Sequence, residues 1–87
     1  PFNAPHTPLQ APDEYLKRYA HLTDKKRQTY AAMVECLDEQ VGRVVAALEK
    51  RGLTKDTLIL FSSDNGGPVT LGATNGRLRA QKGTLYE

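Results

Sequence analysis

The stretch that decides the reading is TLILFSSDNGG, Thr57 to Gly67. Leu58, Ile59, Leu60 and Phe61 follow one another with no polar interruption. A half-buried strand alternates apolar and polar residues, whereas a strand covered on both faces reads as a short continuous apolar run. Residues 57–61 are therefore predicted to form a buried strand. Polar and flexible residues follow at once: Ser62, Ser63, Asp64, Asn65, Gly66 and Gly67. In open α/β sheets ligands bind beyond the carboxyl ends of strands, and Asp64 and Asn65 stand at that place. A carboxylate beside an amide carbonyl is a pair of hard oxygen donors suited to Ca²⁺ or Mg²⁺. Asp-Asn-Gly-Gly is also good turn chemistry, and these four residues alone leave both readings open.

Upstream, the sequence predicts one long helix over about residues 24–51. Tyr30, Met33, Val34, Leu37, Val41, Val44, Val45 and Leu48 recur at the 3.6-residue period of a single helical stripe. Thr23 and Asp24 are suitable N-caps. Lys50 and Arg51 complement the dipole of the last turn, and Gly52 follows as a stop. Residues 53–56 make the turn into the apolar run. Helix, tight turn and buried strand form half of an α/β crossover, so the fold class is α/β. Ahead of the helix, Asp13 to Ala20 can form a short helix or turn. Pro1, Pro5, Pro8 and Pro12 hold residues 1–12 in an extended or turning path.

Composition narrows the function. With 87 residues the chain is at most one domain, and 39% hydrophobic with 25% charged residues is ordinary for a folded protein. The net charge of +2 is weak, and the basic residues are scattered along the chain, with groups at Lys17 to Arg27 and at Arg77 to Lys82. Nucleic acid is not an expected partner. No apolar run approaches the roughly 18 residues of a membrane span. The single cysteine, Cys36, permits no internal disulfide. The chain opens on PFNAPHTP and stops on GTLYE without a starting Met, and it is read as a segment of a longer protein.

Residues 62–77 hold four of the seven glycines and no periodicity, which marks a long functional loop. Beyond it, LRAQKGTLYE places Lys82 before Gly83, close to Arg77 and Arg79. A lysine beside a glycine can bind an oxyanion as a point charge, or it can be a solvated surface lysine. His6, in APHTPLQAP, is either a general acid or a loop histidine bonded to backbone. His21 is read as a surface residue. Cys36, beside the apolar stripe, is read as a small, partly buried side chain because no activating group is near it. Ser62 and Ser63 lack the Gly-x-Ser-x-Gly setting of a nucleophile elbow.

Taken in order, PHTPLQAP, YAAMVECLDEQVGRVVAALEKRGLTKDTLILFSSDNGG and LRAQKGTLYE resemble the sulfatase family, within the alkaline-phosphatase-like superfamily. The pattern is similar to enzymes of the arylsulfatase B, or N-acetylgalactosamine-4-sulfatase, type. DNGG after an apolar run is weak by itself, and so is KGTLYE; together they are specific. The resemblance implies an internal part, residues 1–87, of a single catalytic domain of alkaline-phosphatase-like sandwich architecture. It implies that Asp64 and Asn65 are ligands to a divalent ion, usually Ca²⁺. It implies that Lys82 bridges the sulfate and the nucleophile and that His6 protonates the leaving oxygen. The substrate implied is a sulfate ester of a sugar or an aryl alcohol, and the compartment implied is periplasmic, secreted or lysosome-like.

The family's nucleophile is a formylglycine made from Cys or Ser in a Cys-x-Pro-Ser-Arg or Ser-x-Pro-x-Arg context. No such motif occurs in these 87 residues, since Cys36 is followed by Leu37 and Asp38. The formylglycine is therefore expected outside them, and the 87 residues alone are expected to be inactive. Ala80-Gln81 stands where the family often carries a glycine-containing pair before the lysine. Two other readings remain at the level of the sequence. One is a phosphodiesterase or phosphonate hydrolase of the same superfamily. The other is a non-catalytic helical module that self-associates through the stripe on residues 30–48. The unpartnered stripe and apolar run make a homo-oligomer the expected state of the isolated chain.

Overall fold

The computed structural model describes residues 1–86. Glu87, the last residue of LRAQKGTLYE, lies outside the described residues. Two helices dominate: α1 spans Asp13–Arg18 and α2 spans Lys25–Lys50. Single 3₁₀ turns follow at Thr54–Asp56 and Val69–Leu71.

The long helix begins and ends as its sequence requires. Asp24 is the N-cap, and its carboxylate accepts from the Lys26 N–H at 2.9 Å and the Arg27 N–H at 3.2 Å. Two of the orphan donors of the first turn are thereby satisfied. At the other end Gly52 adopts φ +68°. Its N–H donates to the Glu49 carbonyl at 3.0 Å, and the Leu53 N–H donates to the Leu48 carbonyl at 3.0 Å. This pair of bonds is the Schellman arrangement, which needs a left-handed residue at the position glycine occupies.

The core is small and sits over the N-terminal half of α2. Tyr15 of α1 and Ala32 and Met33 of α2 are buried there. Polar bonds clamp the two helices: the Gln28 amide donates to the Leu16 carbonyl at 3.1 Å, and the Tyr15 hydroxyl donates to Glu39 at 2.8 Å. Arg18 pairs with Glu35 at 2.7 Å and lies 4.7 Å from the centre of the Tyr15 ring. The first twelve residues cross α2 near Met33 to Gln40, and between them lies an open apolar cleft of about 130 Å³. Cys36 lines that cleft, a free thiol among Phe2, Met33 and Leu37. The C-terminal half of α2 has no such cover: Val44 is 55% exposed.

The buried strand expected at residues 57–61 is not observed. Thr57 has the extended angles φ −123° and ψ 122°, but no strand forms among the described residues. Leu58, Leu60 and Phe61 are 83%, 86% and 71% exposed. The reason is that a strand exists only through bonds to a neighbouring strand, and no neighbour is supplied here. The apolar run and the exposed half of the α2 stripe are two uncovered faces of one α/β pattern. No helix is long and apolar enough to cross a membrane among the described residues.

Candidate functional site

The loop from Ser62 to Tyr86 folds back on the first turns of α2. Gly72 (φ +91°) lies so close that a methyl group there would stand 2.7 Å from the Arg27 Cα. The Arg27 guanidinium donates to the Gly72 carbonyl. Ala73 is buried beside it. Burial pushes the Tyr30 phenol above its ordinary pKa, and the neighbouring Arg27 charge works against that rise. The first turns of α2 are thus the platform on which the loop is laid.

On this platform the loop closes over itself. A methyl group on Gly66 would meet the Gln81 Cα at 3.3 Å and the Lys82 nitrogen at 3.4 Å. The backbone just after Asp64-Asn65 is therefore packed on the backbone of Gln81-Lys82. Three bonds from one side chain fix this closure. The Gly67 N–H donates to Asn75 Oδ1 at 2.8 Å, and Asn75 Nδ2 donates to the Gly67 carbonyl at 3.1 Å and the Ala80 carbonyl at 3.0 Å. Gln81 adds a strap, its Oε1 accepting from the Val69 N–H at 3.1 Å.

Asp64 and Asn65 line an open cleft of about 530 Å³ with Asn75, Arg79 and Tyr86. The Arg79 guanidinium lies 3.8 Å from the centre of the Tyr86 ring. The Ser63 hydroxyl donates to the Asn65 carbonyl at 2.7 Å and tightens the turn. Lys82 is exposed and occupies a turn closed by the Thr84 N–H donating to the Gln81 carbonyl at 3.2 Å. Gly83, at φ +84°, supplies the left-handed residue of that turn. Ala80 also lies in the left-handed region at φ 74°, a conformation that costs a residue with a Cβ about 1–2 kcal/mol. That is the position at which the sequence departs from the glycine-containing pair of the family pattern.

His6 stands apart from this closure and does not line the cleft with Asp64. It is exposed between two cis peptide bonds, Ala4–Pro5 and Thr7–Pro8. Its Nδ1 lies 3.0 Å from the Thr7 carbonyl. A carbonyl oxygen only accepts, so Nδ1 carries the proton of that bond and Nε2 is left to exchange one with a ligand.

Asp64 and Asn65 are oxygen donors of the kind Ca²⁺ takes, but Ca²⁺ takes six to eight. No group of three or more His, Cys, Asp or Glu side chains gathers among the described residues. The pair fits as part of a shell and does not complete one. Asn75 was not singled out in the sequence, and Gln81 drew notice only with Ala80, as a departure from the family pattern. The Asn75-Gly76 dipeptide is a turn signal. Its spacing gives no hint that the amide would bond two chain segments at once.

The family model described as Sulfatase matches residues 1–87. The chain is 44% identical to arylsulfatase J of Mus musculus over 86 residues, which cover 99% of this chain and 14% of that protein. It is 29% identical to N-acetylgalactosamine-6-sulfatase of Rattus norvegicus over 89 residues, covering 98% of this chain and 16% of that one. The crystal structure of Ps i-CgsB in complex with k-i-k-neocarrahexaose is similar with a TM-score of 0.87 at 49% identity, covering 93% of this chain and 18% of that chain. The chain thus spans less than a fifth of the length of these relatives. Matched along its whole length by the family model and similar in fold to a solved relative, it belongs to the sulfatase family.

Proposed function

We propose that the full-length protein hydrolyses sulfate esters of sugars, and that residues 1–87 supply part of one catalytic domain. The observation that carries this reading is the packing of Gly66 on the backbone of Gln81-Lys82, which brings the chain just after the acid-amide pair against the chain that carries the lysine. A sugar substrate is supported by two relatives, one named for N-acetylgalactosamine and one crystallised with a carrahexaose.

Asp64 and Asn65 would hold Ca²⁺, which when bound withdraws charge from a sulfate group. Lys82 places a positive charge against the sulfate oxygens and offsets the negative charge that grows as the S–O bond breaks. His6 holds a proton at Nε2 for the leaving oxygen, with Nδ1 anchored to the Thr7 carbonyl. The nucleophile comes from a formylglycine outside these residues, so the 87 residues by themselves release no sulfate.

The test is sulfate release by the full-length protein from 4-nitrophenyl sulfate and from sulfated oligosaccharides, with Ca²⁺ and with chelator. Release that chelation abolishes is the expected result. No release from any sulfate ester, or faster cleavage of a phosphodiester, would overturn the reading.

A further inference from the structure

The side chain of Asn75 is shared between the two halves of the candidate site. Its Oδ1 accepts from the Gly67 N–H, and both protons of Nδ2 are spent, one on the Gly67 carbonyl and one on the Ala80 carbonyl. Gly67 lies two residues after Asn65, and Ala80 lies two residues before Lys82. The amide therefore spans the gap between the acid-amide pair and the lysine, and its length sets that gap. A turn alone does not require this. The local turn at Asn75 is already closed by the backbone bond from the Leu78 N–H to the Asn75 carbonyl, at 2.9 Å. The side chain is free of that task and is bonded elsewhere. Asn is suited to it because one planar group offers an acceptor and two donors, whereas Asp offers no donor and Ser is too short to reach both segments.

We propose that Asn75 is a positioning residue of the sulfatase reaction, fixing the placement of Lys82 relative to Asp64 and Asn65. The proposal rests on the sulfatase reading. Asn75 acts through Lys82, so its loss lowers the turnover that Lys82 supports and adds little where Lys82 is already gone.

The experiment is a double-mutant cycle in the full-length, Ca²⁺-loaded protein, with Asn75→Ala, Lys82→Ala and the pair. A displacement of about 1 Å can cost about 10²-fold in rate, so Asn75→Ala is expected to lower kcat by about that factor with KM changing much less. In the Lys82→Ala background the same substitution is expected to change kcat by less than about threefold, the non-additivity of groups that act as a unit. If Asn75→Ala fails to fold, Asn75→Asp takes its place; it keeps the shape and the bond from Gly67 while losing both donors. Equal losses in both backgrounds, or unchanged kcat in a folded variant, would overturn the proposal. A wild-type protein that releases no sulfate would overturn the sulfatase reading and this proposal together. An active wild type with an additive cycle would overturn the proposal alone.

Discussion

Gly67 and Ala73 approach so closely that a methyl group on Gly67 would stand 2.7 Å from the Ala73 Cβ. The same methyl would meet the Tyr30 hydroxyl at 3.2 Å and Asn75 Oδ1 at 3.3 Å. Ala73 is buried against α2 and has little room to move. Gly67→Ala is expected to destabilise the full-length protein by about 1–3 kcal/mol, the usual cost of overpacking. Gly42 in α2 is the contrast, since a methyl there would meet nothing within 4 Å. Gly42→Ala is expected to strengthen the helix in the 87-residue chain by about 0.5–1 kcal/mol. Thermal unfolding followed by circular dichroism measures both, and a Gly67→Ala variant as stable as wild type would show that the closure is looser than described.

The Tyr15 phenol is raised to about 12, first by its hydrogen bond to Glu39 and then by burial. The folded chain holds this proton more tightly than the unfolded chain, whose tyrosine titrates near 10. The resulting stability is fully present below pH 10 and is lost as pH rises from 10 towards 12. Tyr15→Phe is expected to remove the latest tyrosinate absorbance change and to flatten stability over that window. A spectrophotometric titration that Tyr15→Phe leaves unaltered above pH 11 would contradict the assignment.

Lys82→Ala and His6→Ala are each expected to lower kcat in the full-length protein more than they raise KM. In the proposed function both groups act on charge that develops in the transition state, and losing one such stabiliser costs about 10²–10³ in kcat. Steady-state kinetics on an aryl sulfate and a sugar sulfate decides this. Near-normal turnover in either variant would remove that residue from the mechanism.

The isolated 87-residue chain is expected to self-associate. Val44 on α2 and Leu58, Leu60 and Phe61 beyond it lie uncovered. Burying a large aliphatic or aromatic side chain contributes about 1.5–3 kcal/mol, so four such residues give a strong drive towards a second copy. Sedimentation velocity at high micromolar concentration is expected to show dimers or larger species. A well-folded monomer under those conditions would refute the expectation.

Local chemistry made much of this molecule legible from its sequence. Asp24, the stripe from Tyr30 to Leu48, and Gly52 define α2 because caps and periodicity act within one or two turns. The DNGG and KGTLYE segments, taken together, carried the resemblance to the family. Residues 57–61 were read as a buried strand from their apolar run, and no strand forms there among the described residues, because strands are completed by partners and sequence records only the demand for one. Only the tertiary structure decided how the loop closes: that Gly66 packs on Gln81, that Gly72 rests on Arg27, and that the Asn75 amide joins Gly67 to Ala80. The Gly72–Arg27 contact joins residues 45 apart along the chain, and the shorter-range bonds of Asn75 form only where α2 holds the loop. A turn-forming Asn-Gly pair looks the same in a sequence whether its side chain meets solvent or ties two segments together.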